Sequence, residues 1–163
     1  HGLYESFWEN SIKKDSGYYI NNLKNGIWTE WHDNQQIASK VEYINGNETG
    51  LKQSWFFNGV LESYGNYING QKEGEWTYNH ITDTLKAKGI YKLGNKEGKW
   101  TFWWDNGSIR SEGNFKAGLE EGVWKYYNTN GDINIEGKYK KGDFTGTWIY
   151  FDENGKEDYR NEY

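Results

Sequence analysis

The amino-acid sequence predicts an all-β fold, an elongated single-domain array of seven 24-residue antiparallel β-hairpins covering residues 1–163. Three observations carry this expectation. Glycine recurs every 24 residues, at Gly2, Gly26, Gly50, Gly74, Gly98, Gly122 and Gly146. An Asn-Gly step lies near the middle of most intervals. Folding each interval back at that step sets large rings opposite glycines. Self-similarity at a fixed period marks a repeat architecture, in which one unit cannot cover its own apolar face and must stack on the next.

With the recurrent glycine as position 0, the first strand of each unit runs from it toward the turn. Position 2 holds Tyr4, Trp28, Lys52, Trp76, Trp100, Trp124 and Trp148. Position 5 holds Phe7, Trp31, Trp55, Asn79, Trp103, Tyr127 and Phe151. No unit needs an insertion or deletion to keep this alignment. The turn falls at positions 8 and 9. Asn10, Asn34, Asn58, Asn106, Asn130 and Asn154 occupy position 8, and Gly59, Gly107, Gly131 and Gly155 follow four of them. Asn-Gly between β-rich runs predicts a two-residue type I′ turn, whose central residues both take positive φ. The second strand carries an aliphatic at position 11 (Ile37, Leu61, Leu85, Ile109, Ile133) and an aromatic at position 17 (Tyr19, Tyr43, Tyr67, Tyr91, Phe115, Tyr139, Tyr163). Gly-rich links such as Asn69-Gly70-Gln71-Lys72-Glu73-Gly74 then lead to the next hairpin.

A two-residue turn fixes which positions face each other. Trp at position 2 is expected opposite Gly17, Gly65, Gly89, Gly113 or Gly137 of its own hairpin, and Tyr at position 17 opposite the position 0 glycine. Each ring would lie across a residue with no side chain to stop it. Alternation then gives one face rich in rings and another that is mostly polar, with Lys40, Glu62, Arg110 and Glu136. The position 5 aromatics form a stripe on that polar face.

Composition limits the functional classes. Only 34% of residues are apolar and mean hydropathy is −1.10, yet there are 10 Trp, 14 Tyr and 7 Phe, more rings than a disordered chain carries. The absence of cysteine removes disulfides and thiolate chemistry. A net charge of −5, with 17 Lys and 2 Arg, argues against a nucleic-acid partner. No apolar run is long enough to span a bilayer. The chain opens at His1 rather than Met, as expected of a processed or trimmed protein, so the sequence does not decide whether a targeting segment exists. The compartment is left open between bacterial cytoplasm and the secreted or envelope space.

Catalysis is not expected. His32 and His80 both fall at position 6, two units apart, so roughly 19 Å separates them at two strands per unit. They cannot share a metal or act as a dyad. Asp33, Asp105 and Asp152 lie near turns and read as solvated residues. No cofactor and no metal site is expected.

The recurring G-x-W-x-x-[WYF], N-G-x-[IL] and G-x-[YF]-x-x-G pattern, clearest from Gly98 to Phe115, resembles MORN repeats and in particular the bacterial variant of YwqK-type antitoxins. The unit at Gly2 departs from it with Ser11 and Asn22, and the unit at Gly74 with Asn79, Thr82 and Asp83. The unit at Gly146 is atypical too, with Glu157 at position 11. The resemblance implies an elongated antiparallel array, protein–protein scaffolding or lipid contact, and no catalytic residues.

The functional expectation is therefore a non-enzymatic scaffold for a protein partner. Its alternatives are an antitoxin that neutralises one toxin, or a peripheral envelope module contacting anionic lipid or glycan. The candidate partner-binding residues are the position 6 row, Trp8, His32, Phe56, His80 and Trp104, and from the position 5 stripe Trp31, Trp55 and Trp103. For that stripe a second reading stands, in which a bulge turns the rings inward as packing. Either a monomer or an edge-to-edge dimer is compatible with open sheet edges.

Overall fold

Two strands per repeat are found throughout, and the chain contains no helix. The computed structural model describes residues 1–163. The chain divides into two compact units, His1–Asp83 and Thr84–Tyr163. The first holds β1 (Gly2–Phe7), β2 (Lys13–Ile20), β3 (Leu23–Trp31), β4 (Ile37–Ile44), β5 (Asn47–Trp55), β6 (Leu61–Ile68) and β7 (Gln71–Asn79). The second holds β8 (Leu85–Lys92), β9 (Asn95–Trp103), β10 (Ile109–Lys116), β11 (Leu119–Tyr127), β12 (Ile133–Lys140), β13 (Asp143–Phe151) and β14 (Glu157–Glu162). Within each unit the strands pair antiparallel in chain order.

The two kinds of turn stand in the opposite places from those predicted. Two-residue type I′ turns join the repeats. Asn45-Gly46, Asn69-Gly70, Ala117-Gly118 and Lys141-Gly142 all have positive φ at both residues, closed by pairs such as Ile44↔Asn47 and Lys116↔Leu119. At the Asn-Gly corners only position 9 is left-handed, for example Gln35 at φ 74° and Gly107 at φ 85°. There the Trp104 N–H donates to the Ser108 carbonyl, and the Gly107 N–H donates to the Trp104 carbonyl. This is a three-residue loop, a type I turn followed by one left-handed residue. Asn at position 8 keeps negative φ because its side chain has another task. Its Oδ1 accepts the N–H two residues on, as Asn34 does from Gln36.

The predicted register holds along most of each hairpin. Gly2 pairs with Tyr19, Tyr4 with Gly17, Trp100 with Gly113 and Trp124 with Gly137. The longer loop then shifts it by one, so that Trp31 pairs with Ile37 and Tyr127 with Ile133.

The rings, however, cover different glycines from those predicted. Each Trp lies on the glycine of the preceding repeat: Trp28 on Gly17, Trp76 on Gly65, Trp100 on Gly89, Trp124 on Gly113 and Trp148 on Gly137. A β-carbon on Gly89 would sit 2.2 Å from the Trp100 ring. Each indole N–H also donates to the carbonyl one residue past its glycine, as Trp100 does to Ile90 at 3.1 Å and Trp148 to Lys138 at 3.1 Å. Ring and hydrogen bond together weld one repeat to the next. The position 0 glycines lie under no ring, and Gly26, Gly74 and Gly98 have open space where a β-carbon would be. They are glycine because they take φ of 70°, 75° and 66° in a strand bulge. In β7 this bulge leaves Gly74 and Glu75 between the pairs Asn66↔Glu73 and Gly65↔Trp76.

These tryptophans are the core. Trp100 is 1% exposed. Its edge meets Tyr91 at 5.1 Å and Phe115 at 6.1 Å, while Phe102 stacks on it at 5.9 Å and on Trp124 at 6.2 Å. Lysine ammonium groups close the cluster from outside, Lys24 over Trp28 at 4.1 Å, Lys72 over Trp76 at 4.1 Å and Lys96 over Trp100 at 4.7 Å. Burial against these rings lowers the Lys96 pKa, partly offset by Glu120.

One row distinguishes β1 to β6 from the strands that follow. Running across β8 to β14, register partners on the ring face are Ala87, Phe102, Ser111, Tyr126, Ile135, Tyr150 and Tyr159. The same row across β1 to β6 is Ser6, Asp15, Glu30, Ser39, Ser54 and Ser63. Rings enter this row at Tyr78 of β7, which stacks on Trp76 at 5.9 Å, and are missing from β1 to β6, which leaves a shallow polar trough there.

Candidate interaction surface

The loop edge is built by side chains that reach into the following repeat. The Asn34 amide donates to the Phe57 carbonyl at 2.8 Å, Asn58 to Ile81 at 3.0 Å and Asn106 to Thr129 at 2.8 Å. Position 6 repeats the device. Trp8 Nε1–H donates to the Trp31 carbonyl at 3.0 Å and Trp104 Nε1–H to the Tyr127 carbonyl at 3.1 Å. His32 Nε2 lies 2.9 Å from the Trp55 carbonyl, which requires the proton on that nitrogen. An indole and an imidazole therefore do one architectural job, which residue-type variation along the row hid. Phe56 and His80 stand half-buried in the same row.

The position 5 rings Trp31, Trp55 and Trp103 are half-buried and lie at the register shift. Farther along, the Tyr127 hydroxyl donates to Glu112 at 3.1 Å, and Lys99 pairs with the same carboxylate at 2.8 Å. The hydrogen bond from Lys99 is the largest influence holding the Glu112 pKa down. Burial, then the bond to Glu112, pushes the Tyr127 phenol up to about 12.

In the first unit the loop edge opens into two cavities that share Trp31. One, of about 480 Å³, is lined by Ser11, Ile12, Lys13, Trp31 and Gln35. The other, of about 270 Å³, lies among Trp8, Lys14, Asp15, Glu30, Trp31, His32 and Ala38. Trp8 is 37% exposed. The structure thus brings Trp8, Trp31 and His32 together around one cavity. Trp103 and Trp104 are not among the residues that line it. Asp15 and Glu30 were not among the sequence candidates. The signal was the row at position 4, which reads Ser6, Glu30, Ser54 and then Tyr78, Phe102, Tyr126, Tyr150.

A family model described as MORN repeat variant matches residues 24–45, 48–69, 96–117 and 120–141, more than half of the chain. The chain belongs to the MORN repeat variant family. No curated protein matches it. Each MORN match covers one looped strand pair, β3–β4, β5–β6, β9–β10 or β11–β12, and ends on the first residue of a type I′ turn or link. The MORN repeats passed over are those that begin at Gly2, Gly74 and Gly146. These carry Ser11 and Asn22, then Asn79, Thr82 and Asp83, then Glu157, where the pattern is broken.

Proposed function

We propose that this MORN chain is a non-enzymatic scaffold that binds a partner polypeptide through the loop edge and trough of its first unit. One observation supports this reading above others. The row that carries rings in β7, β9, β11 and β13 holds only Ser, Asp and Glu across β1 to β6, and Trp8 and Trp31 line unfilled space beside it. MORN repeats are in general protein-binding or membrane-binding modules, and an open trough edged by indoles suits a side chain better than a flat lipid surface.

Affinity capture from native lysate tests it, with Trp8→Ala and Trp31→Ala compared against Phe56→Ala and Trp104→Ala. Loss of the captured protein with the first pair alone is the expected result. Equal loss with Trp104→Ala, or none with any variant, would remove the first unit from the reading. If the captured protein is a toxin, the antitoxin alternative is the right refinement. Flotation with anionic liposomes but no capture would favour the envelope alternative. Reproducible turnover in a broad hydrolase screen would overturn the non-enzymatic part.

A further inference from the structure

The face of β1 to β6 turned away from the tryptophans is aliphatic where a wetted sheet face is expected to be polar. Leu3, Ile27 and Leu51 each precede a ring-face residue and so point the other way. Ile20, Ile44 and Ile68 each follow a ring-face tyrosine and share that outer face. All six are between 43% and 58% exposed. They form two rows across the strands, with about 10 Å between neighbours in a row. Beyond β6 the same rows read Glu75, Lys99, Val123 and Thr147, then Lys92, Lys116 and Lys140. There the outer face is laced by ion pairs, Lys99 with Glu112 at 2.8 Å and Lys125 with Glu136 at 3.4 Å. Uncovered aliphatics confined to one stretch of a repeating sheet mark a contact surface.

Charge identifies what covers it. On the outer face of the central strands β3, β4 and β5 the only charged residues are Lys40 and Glu42. They stand two residues apart on β4, both exposed, and neither has a salt bridge within the chain. A two-fold axis running across the strands at the level of Val41 reverses β4 upon itself. Lys40 of one copy then meets Glu42 of the other, and the reverse contact forms by symmetry. The surface is thus its own complement, whereas a basic or an acidic partner would be repelled by one member of the pair.

Size agrees. Six strands at about 4.8 Å and about eight residues at about 3.3 Å give the face roughly 750 Å². A stable interface takes about 800 Å² from each partner. A hollow of about 260 Å³ between Ile27 and Leu51, completed by Lys40, Val41, Glu42 and Gln53, has room for an aliphatic side chain of the other copy. The corresponding hollow of the second unit, about 220 Å³, is rimmed by Lys99, Glu112 and Lys125.

We infer that two copies of this chain pack back to back through the outer face of β1 to β6. The inference goes beyond the partner reading above, because the polar trough lies on the ring face and stays open in the pair.

Sedimentation equilibrium of the full chain tests it, and the expected mass is twice the 19.2 kDa of one chain. The Ile27→Lys/Leu51→Lys variant should be monomeric. Val123→Lys, at the corresponding place in the second unit, should dimerise as the wild type does. Unchanged near-ultraviolet circular dichroism verifies the tryptophan core of each variant. Lys40→Glu and Glu42→Lys chains should each self-associate about tenfold more weakly or worse, and mixing them should restore association, since two glutamates then face two lysines. A chain that stays monomeric at high micromolar concentration would overturn the inference and leave the face to a partner of different sequence. So would a dimer that survives Ile27→Lys/Leu51→Lys, equal disruption by Val123→Lys, or a mixture that associates no better than its separate components.

Discussion

Val41 and Lys52 occupy the two places that five other junctions give to a glycine and the tryptophan lying on it. Val41 sits between Lys40 and Glu42, which pair with Gln53 and Thr49, and it is 4% exposed. Lys52 extends instead to Glu48 at 2.6 Å and over Tyr67 at 5.3 Å. Where the ring is absent the glycine is absent too. The two replacements are one structural event.

That pairing predicts non-additive stability. Lys52→Trp alone drives an indole into the Val41 side chain, and overpacking of this kind costs about 1–3 kcal/mol. Val41→Gly alone empties a buried site and adds a strand glycine, costing about 2 kcal/mol. The double variant rebuilds the arrangement found at Gly65 and Trp76. It should recover stability, with favourable coupling of about 1–3 kcal/mol in a denaturant-monitored double-mutant cycle. Simple addition of the two losses would contradict the pairing.

Glycines at different positions should respond differently to alanine. At Gly113 a β-carbon would come within 2.2 Å of the Trp124 ring, so the ring must leave and its bond to Asn114 break. Gly113→Ala should cost about 3 kcal/mol and alter the near-ultraviolet circular dichroism. Gly107 has open space around it and a φ of 85°, so Gly107→Ala should cost only the left-handed backbone, about 1 kcal/mol, with the spectrum unchanged. Urea midpoints of the two variants separate these cases.

The loop asparagines should be worth more than their turns. Asn106→Asp keeps the acceptor for the Ser108 N–H but loses the donor to Thr129 and sets a charge against that carbonyl. It should destabilise by about 1 kcal/mol, and the difference from wild type should shrink once acid protonates the new carboxyl. Asn106→Ala loses both bonds and should show no such pH-dependent recovery. Chemical denaturation at neutral and acidic pH checks both.

Alkaline stability should follow the buried phenols. Burial and then the negative charge of Glu48 push Tyr43 up to about 12, and Tyr127 is likewise pushed up to about 12 by burial and Glu112. In the unfolded chain both ionise near 10. The folded state then holds protons that the unfolded state has released. Stability is therefore full below about pH 10 and falls as pH rises toward 12. Ultraviolet titration of the phenolate band should show these tyrosines ionising late, and Glu48→Gln should bring Tyr43 back toward its ordinary range.

The period, the strands and most of the hairpin register were legible in the sequence because each repeats without insertion. The choice of glycine under each tryptophan was harder. A ring at position 2 has one glycine before it and one after, and the period makes them equivalent. The exceptions decide. Within a hairpin, Trp28 would face Val41 and Lys52 would face Gly65, two mismatches, whereas across the link Lys52 meets Val41 and every Trp meets Gly. The turn chemistry was hidden for another reason. Asn34 and His32 bond to backbone carbonyls of the next repeat, and a carbonyl leaves no mark in residue type. At the candidate cavity, Trp8, Trp31 and His32 were readable as a row of rings, but Asp15 and Glu30 converge only through the cross-link register of β2 and β3.

Because each indole clamps the strand before its own link, the cooperative piece of this chain is out of phase with the written repeat by half a period. A deletion that begins and ends at the type I′ links would cut through every clamp it meets. One that begins and ends inside the three-residue loops would remove whole clamped pairs, and shortened versions of the protein should be cut there.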